Sequence, residues 1–371
     1  MPRIKPDIEI YAKIKVIGVG GSGGNTISRM AKSKIRGVDL AAANTDAQDL
    51  HYCLSPVKIQ LGKNLTRGLG AGMNPALGEQ AAEESKEEIS EYLKGADMVF
   101  VTCGLGGGTG TGAVPVVAGI ARELGALTIA VVTTPFSFEG AQRAKIAGSG
   151  LSRLKEKVDS LIVIQNDRVL NIVDKKATLL KSFSIIDDIL KQGVQGISDL
   201  ITSPGLVNVD FADIKTIMEN SGQALMGVGR SSNSNRAEEA AREAISSPLL
   251  ELSIDGARGL LFNIAGGEDL SMVEVNQAAK AITQSVDPEA KIIFGVTQDE
   301  KLRKGEIKIT VIATGFNKEA QPTLFNNKKE ENFNPAPFAE KNGRNKKNNS
   351  EEILEEGGEE WEVPAFLRRK K

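Results

Sequence analysis

Gly104-Leu105-Gly106-Gly107-Gly108-Thr109-Gly110-Thr111-Gly112 follows the apolar run Met98-Val99-Phe100-Val101-Thr102. A second glycine loop, Gly18-Val19-Gly20-Gly21-Ser22-Gly23-Gly24-Asn25, follows Ile14-Lys15-Val16-Ile17. Each reads as a strand, a glycine turn and the start of a helix. Glycine lets backbone N–H groups turn inward and lets a ligand approach closely. The helix start adds unpaired N–H groups and the positive end of a dipole, and both favour phosphate. Two such loops at strand ends in one sheet can hold a polyphosphate from two sides. Turn chemistry alone explains one glycine loop but not a matched pair.

The first loop contains GxGxxG in Gly18, Gly20 and Gly23, a weak dinucleotide signal by itself. A dehydrogenase needs an acid at the end of the next strand, and Leu40-Ala41-Ala42-Ala43 ends in Asn44-Thr45-Asp46. Asp46 passes that test, but an oxidoreductase leaves the second loop unexplained. Neither loop ends in Gly-Lys-Ser/Thr, which excludes a P-loop.

Outward from the loops, strands are expected at Lys15–Val19, Leu40–Asn44, Met98–Cys103, Leu127–Thr133 and Leu161–Gln165. Helices are expected at Pro75–Leu93, Gly112–Leu124, with Pro115 in its first turn, and Gly140–Lys157. Alternation of this kind predicts an α/β fold with a Rossmann-like, doubly wound parallel sheet. A long helix follows from Thr178 to Thr202, with Leu179, Phe183, Ile186, Leu190, Val194, Ile197 and Ile201 in one apolar stripe. Gly193 and Gly196 inside it read as points of close helix packing.

A second α+β domain with a mixed sheet is expected beyond Asp210, with helices near Phe211–Glu219, Arg236–Ser246 and Ser271–Ser285. Its strands are expected near Ala224–Arg230, Gly259–Ala265, Lys291–Thr297 and Ile307–Ala313. After Phe316 the chain turns to Asn, Lys, Glu and Pro, a composition expected to stay disordered. The expected organisation is a flexible 1–12, a nucleotide-binding domain 13–177, a central helix and loop 178–209, a second domain 210–316, a linker 317–358 and a terminal peptide 359–371.

The 371 residues suffice for two cores, and a net charge of -2 makes no electrostatic case for nucleic acid. Aromatics at 4% argue against stacking platforms for single strands. A single histidine, His51, all but excludes a His-based triad or a His-rich metal site. Cys53 and Cys103 lack metal spacing and suit a reducing compartment. Met1 to Lys13 is charged throughout and does not read as a signal peptide, and no apolar run reaches the length of a membrane span.

Three pairs of residues carry both a plain and a functional reading. Phe183 and Asp187 lie four apart on one helix face, where Phe183 can stack on a base and Asp187 can accept from guanine N1–H and N2–H₂. Asn166 offers an amide nearby. Spacing alone favours the plainer account, a core Phe183 and a solvated Asp187. Glu139 and Arg143 read first as an exposed i,i+4 ion pair. Asp210 and Asp213 read first as an N-cap and a first-turn acid.

GGGTGTG, Gly106 to Gly112, resembles the signature of the tubulin/FtsZ superfamily of GTPases. Ile14 to Asn25, Asn44-Thr45-Asp46-Ala47, Thr66 to Gly72, Asn166-Asp167-Arg168, Gln192 to Leu200 and Asn208 to Asp213 are similar to the FtsZ branch as well. The likeness runs from about Lys13 to Phe316 and returns in the last residues. Thr134 and Gln165 depart from the family, which often has Arg or Lys and Pro there; neither change removes a group the chemistry needs.

The resemblance implies a GTPase that binds GTP or GDP with Mg²⁺ and polymerises head to tail into filaments. It also implies a cytoplasmic protein of the mid-cell division ring. The implied nucleotide contacts are Gly20, Gly21, Ser22, Gly23, Gly24, Asn25, Asn44, Asp46, Gly104, Gly107, Gly108, Thr109, Gly110, Thr133, Glu139, Arg143, Asn166, Phe183 and Asp187. The implied catalytic residues are Asp210 and Asp213, donated to the neighbouring subunit's nucleotide. No side chain is assigned to the metal, which is expected on the phosphates. Val363, Pro364, Phe366 and Leu367 are the implied anchors for membrane-tethering and regulatory division proteins.

Overall fold

Leu127–Thr134 is buried on both faces, as a parallel strand between two helix layers must be. The strands beside it follow the same rule, and together they order the chain. The computed structural model describes residues 12–35, 37–170, 178–202, 205–207, 209–247, 254–299 and 302–316. These belong to one unit, Met1–Phe325. The expectations for residues 1–11 and for everything after Phe316, including Val363, Pro364, Phe366 and Leu367, lie outside the described residues.

The elements run β1 (Ile14–Val19), α1 (Gly20–Lys32), β2 (Val38–Asn44), α2 (Ala47–Tyr52), β3 (Val57–Gln60), α3 (Lys63–Thr66), α4 (Pro75–Glu84) and α5 (Lys86–Leu93). Next come β4 (Met98–Gly104), α6 (Thr109–Glu123), β5 (Leu127–Thr134), α7 (Ala141–Lys155), β6 (Ser160–Gln165), α8 (Asn166–Val169) and α9 (Leu179–Thr202). The remainder is β7 (Gly205–Val207), α10 (Phe211–Met218), β8 (Gly222–Ser231), α11 (Arg236–Ile245), β9 (Gly259–Gly266), α12 (Met272–Thr283), β10 (Lys291–Gln298) and β11 (Ile307–Thr314).

The strands form one sheet in the order β3-β2-β1-β4-β5-β6-β8-β11-β9-β10-β7. The first six are parallel, and the chain reverses its direction of travel between β1 and β4. Ligands bind at such a switch point, outside the C-terminal strand ends. From β8 onward the sheet is mixed, with β11 antiparallel to β8 and β9, and β10 parallel to β9. The α/β class, the doubly wound first half and the long helix are as expected, and the mixed strands expected of the second half continue the same sheet through the β6–β8 pairing.

Ile186, Leu190, Val194 and Ile197 of α9 join Phe100, Ile129 and Val131 in the core on one sheet face. On the other face, Val99 and Val101 pack with Ala113, Val117 and Leu151. A Cβ on Gly193 would lie 2.9 Å from the Met226 sulfur, and one on Gly196 2.7 Å from Thr310 Cγ2. Both glycines thus let α9 approach the strands. Phe183 leaves the stripe and is exposed.

Two helix expectations need correction. Pro75–Leu93 is not one helix but divides at Ser85, whose hydroxyl accepts from Gly62 N at 3.0 Å and so ties the break to the end of β3. Pro115 is not in a first turn, because α6 begins at Thr109 and takes four motif residues into the helix ahead of it.

Arg236 supplies a stability test. Its guanidinium reaches Glu274 at 2.6 Å and Asp269 at 2.6 Å, joining the N-terminal ends of α11 and α12. Arg236 and the capping contact from Ser271 hold the Glu274 carboxyl down at about 2. Charge-assisted hydrogen bonds of this kind contribute about 1.5–3 kcal/mol. Arg236→Ala is expected to destabilise by about 2 kcal/mol in urea denaturation at pH 7. A folded-state carboxyl pKa below the unfolded value stabilises at higher pH. The deficit should therefore be constant above pH 4.5 and shrink as pH falls toward 2. An unchanged urea midpoint at pH 7 would leave this cluster without a structural role.

Candidate functional site

α1 and α6 start where β1 and β4 end, and those two strands are neighbours in register, Gly18 beside Thr102. The helix starts therefore converge. A Cβ on Gly104 would stand 2.8 Å from Ser22 Oγ, and one on Gly20 3.0 Å from Gly110 N. Gly20 also has φ +73, which a larger residue adopts only under strain. Glycine here permits the two loops to touch.

Neither helix start is capped by a side chain, and neither has an acid in its first turn. Asp46 caps α2, Asn74 α4, Asp210 α10 and Ser271 α12, while α3, α5, α7, α8 and α11 also lack a side-chain cap; what sets α1 and α6 apart is that their starts converge. Two uncapped positive ends meeting at one point make a site for a multiply charged anion.

A cavity of about 360 Å³ opens at this point. Of the expected residues it is lined by Gly20, Gly21, Ser22, Gly104, Gly107, Gly108, Thr109, Gly110, Thr133, Glu139, Arg143, Asn166 and Phe183. Glu139 and Arg143 form their ion pair at its edge, and Glu139 also accepts from Phe136 N at 2.9 Å. Phe183 packs edge-on against the buried Phe136 with its ring centroid 5.7 Å away, leaving the rest of its ring to the cavity. Asn166 is buried, and its Oδ1 has no hydrogen-bond partner among the described residues. A buried orphan acceptor beside a cavity fits a ligand that donates.

Six expected residues stand behind this lining. Gly23 packs against Gly18 and Thr102, Gly24 faces Cys53, and Asn25 is exposed. Asn44 donates to Asp49 at 2.7 Å, and the Asp46 carboxylate accepts from Gln48 N and Asp49 N as the cap of α2. Both capping bonds fall on Asp46 Oδ1, and Asp46 does not line the cavity. Asp187 is buried, with Oδ1 accepting from Thr26 Oγ1 and Oδ2 from Arg29 Nε. Burial raises its carboxyl above the usual range, while Arg29 and Thr26 pull against that rise.

Asp210 and Asp213 are exposed at the start of α10, outside the cavity. The other end of that helix is held at the N-terminal edge of the parallel strands. There Met218 O accepts from Ser160 Oγ at 2.6 Å, and Ser160 is the first residue of β6. The cavity lies at the opposite, C-terminal edge.

Sequence reasoning missed several neighbours. Gly72 lines the cavity and accepts from Gly108 N at 2.7 Å. Its signal was the run Gly68, Gly70 and Gly72, all with positive φ. Leu105 and Pro135 also line it. Asp49 lies 3.3 Å from the position of a Gly21 Cβ, and burial, then Asp46, raises its carboxyl. A second cleft of about 270 Å³ lies by α4, α6 and α7, but its rim pairs Arg153 with Glu79 and Lys86 with Glu123.

Residues 13–174 match the model of the Tubulin/FtsZ family, GTPase domain, and residues 222–317 match that of the FtsZ family, C-terminal domain. An empty FtsZ dimer from M. jannaschii is 49% identical, covering 82% of this chain and 88% of its own, with a TM-score of 0.79. CetZ2 from Haloferax volcanii, in a GTPgS-bound protofilament, shares the fold at 22% identity and a TM-score of 0.70, covering 82% of this chain and 94% of its own. With the GTPase-domain match resting on the half that builds the cavity, the chain belongs to the FtsZ family of tubulin-like GTPases.

Proposed function

We propose that the cavity binds GTP, and that the protein hydrolyses it while assembling head to tail into filaments of the cell-division ring. The observation that carries the reading is the convergence of two uncapped, acid-free helix starts on one cavity. The backbone N–H groups of Gly20 to Ser22, Gly107, Thr109 and Gly110 hold the phosphates, and the Gly108 N–H, spent on Gly72 O, fixes the loop. Thr133, Glu139 and Arg143 face the ribose, with Gly23, Gly24, Asn25, Asn44 and Asp46 supporting the loops from behind. Phe183 stacks on the base, while Asn166 and Asp187 read its edge.

Mg²⁺ is expected on the phosphates, where it neutralises charge that develops in phosphoryl transfer. Among the described residues no group of three His, Cys, Asp or Glu side chains is placed to hold a metal by itself. Asp210 and Asp213 polarise the attacking water at the nucleotide of the next copy. Their exposure, and the attachment of α10 to the edge away from the cavity, support a site shared between copies. The FtsZ dimer and the CetZ2 protofilament support self-association. Among the described residues no helix is long and apolar enough to cross a membrane. We place the protein in the cytoplasm at mid-cell, recruited to tethering and regulatory division proteins through Val363, Pro364, Phe366 and Leu367.

Base reading gives the direct test. A site built to hydrogen-bond a base edge rejects one lacking the donors by on the order of several kcal/mol. A competition titration should therefore show GTP bound far more tightly than ATP, and Asp187→Ala should erase most of that difference. Equal affinities in the unaltered protein would overturn the assignment.

A further inference from the structure

The Asp187 carboxylate is held from a different helix. Thr26 Oγ1 donates to its Oδ1 at 3.1 Å, and Arg29 Nε donates to its Oδ2 at 2.7 Å. Arg29 Nη1 also donates to Ser184 Oγ at 2.8 Å, one turn before Asp187 on α9. Thr26 and Arg29 are three apart on α1, so they present to one side. A carboxylate has about four acceptor directions, so two remain after these contacts.

We propose that Arg29 is a positioning residue for base recognition: with Thr26 it fixes the Asp187 carboxylate, ionised and oriented, for the guanine edge. The proposal rests on the reading that Asp187 contacts the base. α1 starts in the phosphate-binding loop and ends near the base reader, so one rigid element sets both. A bare ion pair requires only charge. Here the guanidinium also donates to Ser184, which orients the guanidinium against α9, while Thr26 and Arg29 hold the two carboxylate oxygens separately.

The charge matters because Asp187 is buried. Burial opposes ionisation most, Asp188 on the same helix opposes it too, and Arg29 and Thr26 pull the other way without cancelling the rise. α8, packed beside α9, brings Asp167 and Arg168; Asp167 accepts from Ser137. Arg29 is the cation that touches Asp187 directly. A protonated Asp187 loses an acceptor and gains a donor, which mismatches two guanine donors. GTP affinity should therefore fall as pH falls through the Asp187 pKa, and removing Arg29 should move that fall to higher pH.

The test compares GTP and ATP binding by the full chain between pH 5 and pH 8, for Arg29→Ala, Arg29→Lys and Asp187→Ala. Arg29→Ala should weaken GTP on the order of tenfold at pH 7, leave ATP unchanged and shift the acid limb upward. Arg29→Lys, which keeps the charge and loses the fork, should restore much of the pH profile and only part of the affinity. Equal weakening of GTP and ATP by Arg29→Ala would make Arg29 a mere brace between helices. So would a wild-type GTP affinity and pH profile in Arg29→Ala while Asp187→Ala loses its preference. Retention of full GTP preference by Asp187→Ala would overturn the base reading itself, and this inference with it.

Discussion

Phosphate release per molecule is expected to fall toward zero on dilution at fixed Mg²⁺ and saturating GTP, and to rise once filaments form. A lone chain has the cavity, but its Asp210 and Asp213 stand exposed outside it. Asp213→Ala should bind GTP and still add to filament ends, because no lining residue is altered. Its turnover should drop on the order of 100-fold, the range for loss of a group that activates water. Its polymers should accordingly outlast those of the unaltered protein in a sedimentation time course. An enzyme complete within one chain gives turnover independent of concentration. A flat dilution curve, with full activity below the sedimentation threshold, would leave Asp210 and Asp213 as helix-start residues only.

The second large effect separates two glycines of one motif. A Cβ on Gly112 would lie 1.9 Å from Pro75 O and 2.7 Å from Glu79 N, both backbone atoms of α4. Backbone cannot rotate away as a side chain can, so α4 and α6 must part. Overpacking costs about 1–3 kcal/mol and occasionally more, and a backbone clash this close belongs at the upper end. Gly107 has nothing within 4 Å of the same position and lines the cavity. Gly112→Ala should therefore lower the urea midpoint sharply. Gly107→Ala should change stability by less than about 0.5 kcal/mol and weaken GTP binding on the order of tenfold. The reverse pattern would mean that the motif's glycines have been assigned the wrong way round.

The strand–glycine–helix pattern was legible because strand ends, glycine and helix starts are local events. β4 to α6 and the long α9 were close to expectation for that reason. What could not be read were contacts made by distant residues. Ser85 sits in a helical sequence, and the helix divides where its hydroxyl accepts from Gly62 N and donates to Gln60 O. β3 and β7, of 4 and 3 residues, are too short for any period to show. Phe183 keeps the spacing of the apolar stripe, yet it faces the cavity because Phe136 occupies the core beside it. The partnership of Thr26 and Arg29 with Asp187 joins residues about 160 apart in sequence and has no local signature. Spacing alone made Phe183 core and Asp187 a solvated face, and the structure has them the other way round, because Thr26 and Arg29 cover Asp187 from a distant helix.

The two uncapped helix starts have a consequence for the protein's economy in the cell. α1 and α6 bring two positive helix ends to one cavity, and neither has a side-chain cap or an acid in its first turn. A bound nucleotide then completes the structure as a missing residue would. Mass action makes the gain about 2.7 kcal/mol at a ligand concentration 100 times Kd. Folded abundance should thus follow the guanylate pool. A cell short of nucleotide would face fewer surviving copies, cleared by its proteases, before it faced idle ones.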